Sequence, residues 1–168
     1  PQMTIDAINK HRIAIKAPTG TPKGGGHSSI NVMLRKMFSL DVGYRPFLSL
    51  PFPIAPSRGH VDIHLFRQNT EGLYECHEET WNGPRGKVVT LTATFTADAM
   101  TRLASHAFEH AERRRVTLVT KSNIHKAWGR LYRDAFMEVA KRYPNIEAEE
   151  VLIDAIAMRL TRHPGQFN

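Results

Sequence analysis

The sequence predicts an α/β fold, and three observations carry that expectation. Strong helical patterns alternate with short strand patterns through the second half of the chain. The strand patterns are of two kinds, an alternating one at Lys87 to Phe95 and a short apolar run at Val116 to Thr120. The chain has 168 residues and 19.0 kDa, enough for one domain with a real core. Its apolar content of 41% and charged content of 23% place it among globular rather than disordered chains.

In order, Thr4 to Asn9 reads as a short helix with Thr4 as its cap, and Arg12 to Ala17 as a strand. A helix follows from Ser28 or Ser29, with Ile30, Met33, Leu34 and Met37 at helical spacing, and fades by Ser39. An extended segment at Gly43 to Leu48 carries Arg45. Leu50 to Gly59, with its prolines, is a surface connection. Val61 to Phe66 alternates Val61, Ile63 and Leu65 against Asp62, His64 and Phe66, so it is a strand. Leu73 to Glu79 reads as extended, Trp81 to Gly86 as a turn, and Lys87 to Phe95 as a strand with a threonine face. The pair makes a protruding two-stranded arm.

Thr96 caps an amphipathic helix whose stripe is Met100, Leu103, Ala104, Ala107, Phe108 and Ala111, with Arg113 to Arg115 at its positive-favouring end. After the Val116 to Thr120 strand comes a second helix, Ile124 to Tyr143, stopped by Pro144. Ile146 to Ala148 reads as a short strand, and Glu149 to Thr161 as a third helix ended by His163-Pro164-Gly165.

A net charge of +7 favours anionic partners, but no basic block, zinc-finger spacing or aromatic–basic RNA motif points to nucleic acid. No apolar run is long enough to span a bilayer. The single cysteine, Cys76, excludes an internal disulfide framework and fits a reducing compartment. The chain begins at Pro1 rather than at methionine, which fits a piece of a longer protein or a processed form.

Pro18 to Arg35 is the stretch with most chemistry. Two prolines and a run of three glycines lead into a helix start, a physical design for an anion. Ser29, Asn31 and Arg35 add a hydroxyl, an amide and a guanidinium. No Gly-Lys-Ser/Thr closes the run and the dinucleotide glycine fingerprint is absent. A flexible loop with a capped helix is the equal alternative.

Several blocks in order resemble the isocitrate and isopropylmalate dehydrogenases, the β-decarboxylating dehydrogenases. They are Ile15 to Pro22; Ser29-Ile30-Asn31-Val32 through Lys36; Tyr44-Arg45-Pro46; Arg67-Gln68-Asn69-Thr70-Glu71-Gly72-Leu73-Tyr74; Val116-Thr117 through Lys121-Ser122-Asn123; and Asp154-Ala155 through Met158 with Pro164 and Phe167. Ser29 and Asn31 resemble the isocitrate branch. The resemblance implies a three-layer fold of that family, mostly its smaller domain with the arm at 73–95. Residues 1–59 form a loop–helix substrate segment and 60–168 the small domain, together a partial domain over 1–168.

The resemblance also implies roles. Arg35, Arg45 and Arg67 would clamp substrate carboxylates, for which the planar guanidinium fork is suited. Ser29 and Asn31 would touch substrate beside them. Thr21 and Asn123 would lie near a nicotinamide cofactor, NAD or NADP. Tyr74 would protonate the enol left after carbon dioxide departs. Lys121 would assist removal of the hydroxyl proton, and Asp154 would approach a magnesium or manganese ion, both from the second subunit of a dimer. His27 and His64 read as structural or surface groups. The implied activity is NAD(P)-linked oxidative decarboxylation of isocitrate to 2-oxoglutarate, in a cytoplasmic or mitochondrial-matrix protein.

The resemblance further implies a homodimer or hetero-oligomer formed through the small domain, with helices like 97–113 and 124–143 packed on their mates. Gln68, Ser28 and Thr120 depart from the family's usual residues. The Gly-Asp-Gly-Ile-Gly strand–loop, the Asn-x-Phe-Gly-Asp-x-x-x-Asp segment with two metal aspartates and the adenosine loop lie outside these 168 residues. The segment alone is therefore expected to be inactive, and Asp154 alone is a poor magnesium site. The alternative is a non-catalytic regulatory or scaffold module derived from the family.

Overall fold

The computed structural model describes residues 2–22, 29–50, 59–111 and 115–168. The chain order is α1 (Gln2–His11), α2 (Ile30–Met37), β1 (Val42–Leu48), β2 (Asp62–Gln68), a 3-10 turn (Gly72–Tyr74), β3 (His77–Gly83), β4 (Gly86–Thr92), α3 (Ala97–His110), β5 (Arg115–Thr120), α4 (Lys126–Ala140), β6 (Glu147–Leu152), α5 (Ile153–Arg162) and a final 3-10 turn (Pro164–Phe167). Helices and strands thus mix as the α/β pattern requires.

The core is built by α3 and α4 over β5. Met100, Ala104 and Phe108 of α3 meet Tyr132, Phe136 and Val139 of α4, with Leu118 beneath. Phe108 is central, with its ring 5.3 Å from Phe136 and stacked 5.3 Å from Tyr143. Thr96 caps α3 as its sequence position requires, accepting from the Ala99 N–H at 3.2 Å. The helices α3 and α4 pack on each other, because each has one wide apolar stripe and the other covers it.

Among the described residues the strands pair into three two-stranded sheets. β1 and β2 are antiparallel, with Gly43 opposite Arg67 and Arg45 opposite Leu65. β3 and β4 form the antiparallel arm, turning between Gly83 and Gly86. β5 and β6 are parallel and α4 connects them, as a parallel pair demands.

Four local expectations are corrected. Arg12 to Ala17 is irregular, with Ile13 and Ile15 fully open to solvent, since no described segment offers it a ladder partner. Thr4 is not a cap, because α1 already begins at Gln2. Leu73 to Glu79 is a 3-10 turn followed by a strand from His77. Glu149 to Leu152 belong to β6 rather than to the last helix. Thr117 and Arg115 hold Glu149 at 2.8 and 3.4 Å, and Thr120 holds Glu150 at 2.6 Å, so these acids are paired across the sheet. The triple glycine, His27 and Ser28, most of the 50–59 connection and Arg113 with Arg114 lie outside the described residues.

Candidate functional site

Three residues from separate stretches meet at the end of β2. Arg67 is the penultimate residue of that strand, and Tyr74 lies in the 3-10 turn after it. Arg67 Nη2 donates to the Tyr74 hydroxyl oxygen. Its guanidinium carbon also stands 5.0 Å from the Tyr74 ring centre, and that of Arg35, on α2, stands 5.6 Å away. Lys36 and Glu75, 3.0 Å apart, tie α2 to the same turn. Arg45 joins them by register. It lies on the same sheet face as Arg67, one diagonal step along β1, a spacing of roughly 7–8 Å. Among the described residues no carboxylate pairs with Arg35, Arg45 or Arg67.

The motif residues between Arg67 and Tyr74 hold this geometry. The Gln68 amide oxygen accepts from the N–H groups of Thr70 and Glu71 at 3.2 and 2.9 Å, wrapping the loop. Glu71 accepts from the backbone and hydroxyl of Thr96 at 3.0 and 2.5 Å, fastening the loop to the start of α3. Gly72 has φ +73°, and a Cβ there would meet the Phe95 ring at 2.9 Å, so glycine is required. Gly43 is required for a different reason, since a Cβ would strike the buried Asn69 amide at 2.5 Å. In the sequence Glu71 and Asn69 stand out only as parts of a motif. The Thr96 cap next to an unexplained Glu71 is the signal that could have exposed the clamp.

A second cluster forms at the C-terminal ends of β5 and β6. Lys121 donates to the carboxylate of Asp154, which opens α5. Glu150 anchors the turn that carries Lys121, accepting from Thr120 and Ser122 at 2.6 and 2.7 Å, with Arg133 3.7 Å away. Gly129 of α4 lets this turn approach, since a Cβ would lie 2.3 Å from that of Ser122. Neither Glu150 nor Gly129 is singled out by the sequence.

The remaining expected residues are less assembled. Ser29 takes the N-cap position of α2, though its side chain makes no capping bond. Asn31 precedes Arg35 by one helical turn and shares its face. Thr21 and Asn123 are exposed. Asp154 is open and engaged by Lys121, and among the described residues no three His, Cys, Asp or Glu side chains converge. Magnesium requires a near-octahedral oxygen shell, which these residues do not make.

The sequence profile of the isocitrate/isopropylmalate dehydrogenases matches residues 1–168. The chain is 38% identical, over 98% of its length, to a regulatory subunit of the mitochondrial NAD isocitrate dehydrogenase of Dictyostelium discoideum, and it covers 46% of that subunit's length. It is 34% identical over 99% of its length to an NADP isocitrate dehydrogenase of Thermus thermophilus, covering 34% of that protein. The isocitrate dehydrogenase structure from Methylococcus capsulatus superposes with a TM-score of 0.90 at 35% identity, covering 99% of this chain and 50% of that one. The chain thus spans half or less of the length of these relatives, and it belongs to the isocitrate/isopropylmalate dehydrogenase family.

Proposed function

We propose that this chain carries the carboxylate-binding and proton-transfer residues of an NAD(P)-linked dehydrogenase that oxidises and decarboxylates isocitrate. The observation that supports this most is the set of Arg35, Arg45 and Arg67, without a carboxylate partner among the described residues, two of them at the Tyr74 phenol and the third one diagonal step along the sheet from Arg67. Like charges repel, so a fold gains nothing from collecting them unless an anion arrives. Isocitrate brings three carboxylates, and each fork can bind one bidentately. Asn31 and Ser29 lie at the start of the helix that carries Arg35, placed for the substrate's remaining oxygens.

Tyr74 is the proton donor in this reading. Because Arg67 donates to the phenol oxygen, the Tyr74 hydrogen is free to point at the substrate. Positive charge beside that oxygen stabilises it as the proton leaves for the carbon from which carbon dioxide has gone. Lys121, held in place by Asp154, is the partner for the substrate hydroxyl, taking that proton as a neutral amine and passing it on to water. No described contact joins Lys121 to Tyr74, and in this reading the Lys121–Asp154 pair of a second copy completes the site. Thr21 and Asn123 would lie against a nicotinamide cofactor, which would supply hydride acceptance. No step here is assigned to a metal, because the described residues do not form its shell.

The second reading is a non-catalytic regulatory module that binds the same tricarboxylate. The regulatory name of the Dictyostelium relative favours it. Isocitrate-dependent NAD(P)H formation by the purified native protein, with 3-isopropylmalate as comparison, separates the readings. Turnover with isocitrate that falls roughly 10²-fold in Tyr74→Phe supports the enzyme. Isocitrate binding without turnover supports the regulatory module. Binding of neither acid overturns both.

A further inference from the structure

On the opposite face of the β1–β2 pair, Asp62, His64 and Phe66 follow one another along β2, with Tyr44 directly opposite Phe66 and one diagonal step from His64. The Tyr44 hydroxyl and His64 Nδ1 are 2.6 Å apart, and His64 Nε2 lies 3.1 Å from an Asp62 carboxylate oxygen. The carboxylate only accepts, so it draws the ring hydrogen to Nε2. Nδ1 is then the acceptor and the Tyr44 hydroxyl the donor. This is an acid–base–nucleophile chain in which a phenol takes the place of a serine or cysteine, with the base oriented by a third group.

The phenol is accessible, Tyr44 being 44% exposed. Beside it lies an open groove of about 310 Å³ in which Leu40, Val42, Tyr44 and Phe66 stand with the polar Ser39 and Asp41 and two histidines, His106 and His110. The His110 ring stands 5.5 Å from Tyr44 and 5.2 Å from Phe66, closing one wall. Such a volume at the small end of ligand pockets suits a short acyl chain against apolar and aromatic walls. None of Tyr44, His64 and Asp62 takes part in the arginine cluster, which faces the other way.

We propose that Tyr44 is an activated phenol that takes acyl groups from small activated esters. The Tyr44 oxygen attacks the acyl carbon while His64 Nδ1 removes the phenol proton. The bond from that carbon to the leaving oxygen breaks, and His64 returns the proton to the departing alcohol. The products are O-acyl-Tyr44 and the free alcohol. The other three tyrosines lack this arrangement. Tyr74 accepts from Arg67, and Tyr132 and Tyr143 pack in or against the core.

The test is to incubate the purified native protein with 4-nitrophenyl acetate and follow acetyl transfer at each tyrosine by peptide mass spectrometry. Tyr44 is expected to be acetylated at least tenfold faster than Tyr74, the other exposed tyrosine. His64→Gln is expected to slow Tyr44 roughly 10²-fold. Asp62→Asn, which keeps the side-chain shape but loses the charge, is expected to slow it as well and serves if His64→Gln does not fold. Equal labelling of Tyr44 and Tyr74, or a Tyr44 rate unchanged in the folded variant, overturns the proposal.

Discussion

Tyr74 and Tyr132 sit on two sides of the same short motif and meet opposite surroundings. Tyr74, at the motif's end, is open to solvent and ringed by Arg35 and Arg67. Tyr132, on α4, is buried beside Phe95 and Trp128, with Glu71 of the motif next to its hydroxyl. Burial first, and then the Glu71 carboxylate, push the Tyr132 phenol up to about 12. One phenol is thus open to solvent beside two guanidinium groups, and the other is buried and keeps its proton. A segment of eight residues divides its work in the same way. Arg67 and Tyr74 meet beside Arg35, while Gln68, Glu71 and Gly72 hold the loop to the protein.

If that division is right, changes on the buried side alter stability and changes on the open side alter binding. The largest effect is expected from Phe136→Ala, which opens a hole beneath Phe108. It should reduce unfolding free energy by about 3–5 kcal/mol in denaturant titration. Gly72→Ala comes next. A side chain there combines a left-handed backbone with a collision against Phe95, and the loss should be about 2–3 kcal/mol. Substrate affinity should fall with it, since the strained turn carries Tyr74.

Tyr132 sharpens the comparison through pH. Below pH 10 both folded and unfolded chains keep this proton. Between the ordinary value of 10.0 and about 12, the unfolded chain releases it and the folded chain does not. Stability contributed by this group is therefore full below pH 10 and is lost as pH rises towards 12, by about 2 kcal/mol. Tyr132→Phe should lack that part of the alkaline loss, which chemical denaturation at pH 9 to 11 would show as a shallower slope than in the parent protein.

How much of this is legible in the sequence depends on the kind of pattern. Period carries the helix pair, because the stripe from Met100 to Ala111 and that from Trp128 to Ala140 each need a cover and provide it for one another. Alternation carries β2 and β4. Glu149 to Leu152 mislead because Glu-Glu before an apolar run looks like a helix start. Only the pairing of those acids with Thr117, Arg115 and Thr120 across the sheet shows them to be a strand. Arg12 to Ala17 looks like a strand because pattern says nothing about whether a neighbour is present. The arginines are visible only through the family motif, since a lone arginine carries no signal. The meeting of Arg35 and Arg67 at Tyr74 needs three dimensions. The Asp62–His64–Tyr44 chain is half visible. Alternation puts Asp62 and His64 on one face, but nothing in the sequence makes the strand that brings Tyr44 opposite them their partner.

The central claim is that the charged face of the motif serves a ligand and not the fold. Calorimetric titration of isocitrate into the native protein and into Arg67→Lys, with thermal unfolding of both, tests it most directly. Lysine keeps the charge and loses the planar fork. The account requires affinity to fall at least tenfold, about 1.4 kcal/mol, with unfolding free energy changed by less than about 1 kcal/mol. Unchanged affinity, or a stability loss as large as that of Phe136→Ala, would contradict it.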